Sequence, residues 1–130
     1  MKVFDIFWRS ERSTRVNQSR GIQQGNATML VLAVLADGAR HGYDIAREVE
    51  RRSVNAIAFK HGTLYPVLHS LEKEEMIVSS WEHPEGERPR RIYSITPAGM
   101  EELARCRKQW DEFTHAVNKV IEDKTGEQPV

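Results

Sequence analysis

The stretch "KHGTLYPVLHSLEKEEMI", residues 60–77, carries Leu64, Val67, Leu68 and Leu71 at i, i+3, i+4 and i+7. That spacing makes one buried face of an amphipathic helix. Pro66 falls inside the pattern. Proline lacks an N–H and is tolerated best near a helix start, where backbone donors have no intrahelical acceptor. The helix is therefore expected to begin shortly before Pro66 and to occupy residues 61–75. His61, Thr63, Tyr65 and His69 all avoid the apolar stripe. Together with the unbonded N–H groups of a first turn, they make a surface suited to an anionic backbone.

Upstream, "ATMLVLAVLADG" is apolar nearly all round and stops at Asp37-Gly38, so it reads as a central buried helix capped by Asn26. "HGYDIAREVERRS" sets Ile45, Ala46 and Val49 on one face and Asp44, Arg47, Glu48 and Arg51 on the other, a half-buried helix. With the connector "VNAIAFKHG" these two helices have the form of a helix-turn-helix. Downstream the period changes from helical to alternating. "MIVSSWEH" and "RRIYSI" are strand candidates on either side of "HPEGERPR", which makes a β-hairpin with a long tip, a wing. Pro84, Gly86 and Pro89 stop the ladder from extending into the tip, and Arg88, Arg90 and Arg91 cluster on the return strand.

"TPAGMEELARCRKQWDEFTHAVNKVIED" opens with Thr96 as N-cap and Pro97 at the first helical position. Leu103, Cys106, Trp110, Phe113, Val117 and Val120 follow at steps of three and four, a heptad stripe on a helix longer than a small core requires. A partner helix is implied, and a second copy of the chain is its simplest source. The fold class is mainly α with a small β-hairpin (α+β): a winged helix-turn-helix with a long C-terminal dimerisation helix.

The 130 residues with 39% hydrophobic content supply one core and little more. Nineteen basic and nineteen acidic side chains balance, so any electrostatic footprint must be local. Cys106 is the single cysteine, which excludes an internal disulfide framework and fits a reducing cytoplasm. The five histidines form no metal-binding pair on one helix face, and no cofactor is expected. No apolar run is long enough for a bilayer, and "MKVFDIFWRSER" lacks the cleavage site of a signal peptide. The leader, residues 1–25, is locally basic through Lys2, Arg9, Arg12, Arg15 and Arg20, and Val3, Phe4, Phe7 and Trp8 could share one side of a short helix. Gly-rich phosphate loops, G-x-S-x-G, H-E-x-x-H and isolated carboxylate pairs are absent, which argues against an enzyme.

Taken together, "HGYDIAREVE", "GTLYPVLHSLEKEEMI", "PRRIYSITPAGMEEL" and Trp110 resemble a PadR-type transcriptional regulator, collinear from about Ala27 to about Glu122. The resemblance implies a bacterial cytoplasmic homodimer, usually a repressor, that places the second helix of the motif in the DNA major groove and the wing along the backbone or in the minor groove. It also implies a C-terminal helix packed on the partner subunit and small, often aromatic effectors near the dimer interface. The chain then divides into a leader (1–25), a DNA-binding domain (26–95), a dimerisation helix (96–123) and a tail (124–130). Lys60 departs from the family's usual Ser or Asn and cannot accept a hydrogen bond from backbone N–H groups, whereas its value to a phosphate rises.

On this reading Tyr43, Lys60, His61, Thr63, Tyr65, His69, Arg88, Arg90 and Arg91 contact double-stranded DNA bearing an inverted-repeat operator. The plain alternative is a solvated helix face, with Tyr43 closing the core edge and the arginines protecting a strand edge. Since Arg90 and Arg91 are adjacent on a strand, one points away from the other. Leu103, Cys106, Trp110, Phe113, Val117 and Val120 form the dimer seam, and Trp110 also stacks an aromatic effector. Two competing readings use the same surfaces: a winged-helix dimer that binds another protein without reading DNA, and a redox sensor built on Cys106.

Overall fold

The computed structural model describes residues 24–123, so the expectations for the leader 1–23 and the tail 124–130 lie outside the described residues. Helix α1 (Gln24–Leu35) buries Ala27, Val31, Leu32, Val34 and Leu35. It packs against every other helix and against the sheet. It starts two residues before Asn26, so Asn26 lies within the helix and does not cap it. An Asn cap contributes only about 1 kcal/mol, and Gln is itself a good helix former. Gly38, with φ of +150°, ends the turn that follows.

Strand β1 (Arg40–His41) runs directly into α2 (Gly42–Arg52), whose Ile45 and Val49 are buried. Glu48 joins α2's outer side into a charge network. It accepts hydrogen bonds from Arg51 at 2.6 Å and Arg52 at 2.8 Å, and Arg52 also donates to Asp37 at 2.5 Å. These two guanidinium donors hold the Glu48 carboxyl down to about 2. The connector to α3 turns through Val54 and Asn55, with φ of 54° and 65°. Asn adopts that left-handed conformation readily and Val does not.

Helix α3 (His61–Lys73) buries the stripe Leu64, Val67, Leu68 and Leu71 against α1, as the spacing requires. Pro66 is its sixth residue, inside the helix and well past its first positions. The helix therefore begins a full turn earlier than proline preference suggests. The missing Pro66 N–H leaves the Gly62 carbonyl without its i+4 donor. Burial of four large apolar side chains outweighs that loss. Glu75, with φ of 63°, closes α3 while the Met76 N–H donates to the Leu71 carbonyl at 2.9 Å.

Strands β2 (Ile77–Glu82) and β3 (Arg90–Ile95) form the hairpin, paired antiparallel with Trp81 opposite Arg91 and Ser79 opposite Tyr93. The sheet order is β1-β3-β2. Thr96 then caps α4 (Pro97–Glu122). Its Oγ1 accepts from the Gly99 N–H at 3.0 Å, and its N–H donates to the Met76 carbonyl at 3.0 Å. Gly99 is required at this junction, because a Cβ there would lie 2.2 Å from the Met76 carbonyl oxygen. Leu103 is buried in this chain's own core, so it anchors α4 to the domain and is removed from the expected dimer seam.

Gly99→Ala is therefore expected to destabilise the fold by about 3 kcal/mol, the upper range for overpacking a tight site. Gly62→Ala, where a Cβ meets nothing within 4 Å, serves as the control and should not destabilise. Urea unfolding midpoints test this, and an unchanged midpoint for Gly99→Ala would contradict the junction.

Candidate nucleic-acid interface

Burying Leu64, Val67, Leu68 and Leu71 decides what α3 presents outward: Gly62, Tyr65, Pro66, His69 and Lys73 are all exposed. Thr63 is half-buried. His61 opens the helix, and its side chain lies outside what the structure describes. Lys60 is the N-cap residue and forms no side-chain cap, as its chemistry demands. The first turn of α3 also carries no acidic residue. A helix start with uncapped donors, no carboxylate and an exposed ammonium is an anion-accepting end.

Tyr65 leans onto the start of α2: a Cβ at Gly42 would come within 2.9 Å of its Oη. Gly42 is thus the residue that lets the two helices meet there. Tyr43, the next residue, is exposed, and the Arg47 guanidinium lies 5.6 Å from its ring centroid. The wing is joined to the same place by His41, whose Nε2 is 2.8 Å from Glu82 Oε1 and whose Nδ1 is 3.5 Å from Asp44.

The three wing arginines are not equivalent. Arg88 is exposed at the tip, and Arg90 is half exposed, with Glu87 at 3.7 Å. Arg91 lies on the opposite face of β3 and is engaged within the chain. Its Nε–H donates to Ser79 Oγ at 2.9 Å and its Nη2 lies 3.3 Å from Glu72 Oε2, while Ser79 Oγ donates to Glu72 at 2.6 Å. This Glu72–Ser79–Arg91 triangle ties the wing to the last turns of α3. It was not legible beforehand, because nothing in the sequence pairs Glu72 with a residue 19 positions away. Arg91 thus braces the wing against α3, while its side chain stays 43% exposed.

His41, Gly42, Tyr43, Tyr65, Trp81, Arg90, Arg91 and Tyr93 line a notch of about 410 Å³ between α3 and the wing. Trp81 is the residue here that the motif reading missed. The alternation of "IVSSWE" puts it on the face of Ile77 and Ser79, which was the available signal.

On α4 the outward stripe is apolar well beyond the core: Trp110 is 44% exposed, Phe113 61% and Val120 76%. Cys106 and Val117 are half-buried. The Trp110 and Phe113 rings stand 6.3 Å apart. Between α4 and the start of α1 is a cleft of about 400 Å³ lined by Asn26, Thr28 and Met29 of α1 and by Glu102, Arg105, Cys106, Gln109, Trp110 and Phe113 of α4. Burial pushes the Cys106 thiol up, and Glu102, which accepts from its Sγ at 3.5 Å, pushes it further in the same direction. A protonated thiol is a poor redox centre, which weighs against the sensor reading. Among the described residues no cluster of His, Cys, Asp and Glu is placed to hold a metal, and no helix is long and apolar enough to cross a membrane.

Residues 31–105 match the Transcriptional regulator PadR-like family. A transcriptional regulator of Mycobacterium tuberculosis is 34% identical over 98 residues, which is 75% of this chain and 88% of that protein. Among solved structures, a transcriptional regulator from Clostridium thermocellum superposes with a TM-score of 0.73 at 26% identity, covering 80% of this chain and all of the other. A PadR family transcriptional regulator from Eggerthella lenta gives 0.66 at 28% identity, covering 81% and 86%.

Proposed function

The chain belongs to the PadR-like family of transcriptional regulators, and on that premise we propose that it is a cytoplasmic, homodimeric DNA-binding repressor released by a small planar effector. The observation that carries the proposal is one continuous face. Tyr65 of α3 and Arg90 of the wing line one notch that is open to solvent, and His69 and Lys73 on α3, Lys60 at its start and Arg88 on the wing are exposed.

In this arrangement α3 enters the major groove start first. Its first turn, Thr63 and Tyr65 set register and part of the base choice, while Tyr43 at the start of α2 meets backbone. Arg88 and Arg90 neutralise phosphates along the adjacent strand. Two copies related by a two-fold axis read an inverted repeat. The seam that joins them consists of Cys106, Trp110, Phe113, Val117 and Val120, the apolar part of α4 that its own domain leaves uncovered. The cleft beside Trp110 is shared by α1 and α4, so a planar apolar ligand bound there would shift the angle between the DNA-binding units, and the coupling must be reciprocal.

Salt titrations on operator and random duplex separate these roles. Arg88→Ala is expected to weaken both duplexes alike and to lower the salt slope by about one. Tyr65→Ala should cost operator binding more than random binding and leave the slope unchanged. Parental affinity no higher for any genomic fragment than for random DNA would remove the DNA-reading function and favour a protein-binding winged helix.

Phe113→Glu places a charge in the seam, and the variant is expected to sediment as a folded monomer. Since Phe113 also lines the cleft, the same variant should lose the quenching of Trp110 emission by a planar aromatic probe such as naphthol. A dimer indistinguishable from the parent would refute the seam, and undiminished quenching would place the effector elsewhere.

A further inference from the structure

Along β2 one face of the sheet passes from core to solvent in three steps: Ile77 is fully buried, Ser79 half-buried and Trp81 56% exposed. A large aromatic side chain that far out contributes little to this domain's core, yet its position is tightly controlled. Arg91 lies opposite it in register, with the guanidinium 5.5 Å from the indole centroid and 6.0 Å from the Tyr93 ring. That guanidinium is itself fixed by Ser79 and Glu72. Ordering an arginine by two polar partners and two rings costs side-chain entropy, and the result is an indole held at the mouth of the notch.

We infer that Trp81 is a DNA-contacting residue, which lays its indole against the sugar–phosphate strand that runs between the groove occupied by α3 and the groove approached by the wing. The inference rests on the DNA-binding function proposed above and adds a contact to it. The notch separates the two elements that enter neighbouring grooves, so the backbone dividing those grooves is what must pass through it. Its chemistry suits that occupant. Tyr43 and Tyr65 line it together with Trp81, Arg90 brings positive charge, and no carboxylate is among the described residues that line it. An indole offers a flat apolar face to a deoxyribose and one N–H donor to a phosphate oxygen. Arg91 acts as a positioning residue for it, with its own charge already answered by Glu72.

The contact adds affinity without counterion release, which distinguishes it from the arginines. Trp81→Ala should weaken binding to operator and random duplex alike by roughly tenfold, the size of a lost aromatic contact to nucleic acid, with the salt slope unchanged. Trp81→Phe, which retains a ring, should recover most of the loss. In protein labelled with 5-fluorotryptophan, the fluorine resonance missing from Trp81→Phe identifies Trp81, and it should shift when duplex DNA is added. Parental DNA binding with unchanged affinity in Trp81→Ala and a stationary Trp81 resonance would overturn this contact while leaving the DNA-binding function standing. A salt slope that falls with the affinity would overturn it too, by assigning the loss to displaced charge. A parent that binds no duplex would remove the function and the contact together.

Discussion

From Ala27 to Leu35 helix α1 is apolar nearly all round, and this constraint organises the molecule. A helix with no polar face must be covered all round. The chain supplies the cover from α2 through Ile45 and Val49, from α3 through Leu64, Val67, Leu68 and Leu71, from β3 through Tyr93, and from α4 through Leu103. Each covering element is thereby fixed in rotation about its own axis. Because the stripe of α3 faces α1, Tyr65, His69 and Lys73 must face solvent. The outward face of α3 is thus a by-product of core burial.

The wing is positioned by a different kind of force. A two-strand hairpin is marginal alone, and here it is held at both edges. Strand β1 pairs with β3, and His41 reaches across to Glu82. On the other side, Glu72, Ser79 and Arg91 bind the sheet to α3. These polar contacts are partly exposed and individually weak. Their contribution is geometric, since they set the distance between α3 and the wing.

Periodicity made much of this legible. The stripe 64, 67, 68 and 71, the alternation in "IVSSWE" and "RRIYSI", and the Thr96-Pro97 start of α4 all report local structure that the core then uses. Three features were not legible, each for a physical reason. Strand β1 has two residues, too few for any period. The heptad on α4 could not say that Leu103 turns into its own domain while Phe113 does not, because both satisfy the same spacing. Arg91 has the composition of a phosphate ligand, yet its partner Glu72 is distant in sequence and on another element. The family resemblance supplied the expectation of a winged helix that reads DNA, and the packing supplied which side chains remain available to do it.

The central claim is that two copies of this face, related by the α4 seam, enter successive major grooves on one side of a duplex. Hydroxyl-radical footprinting of the protein on its operator tests it most directly. The account predicts two protected patches related by two-fold symmetry, with half-sites centred about 10 base pairs apart, and added protection on the strand beside each recognition helix. A single asymmetric patch, or two patches on opposite faces of the duplex, would contradict it.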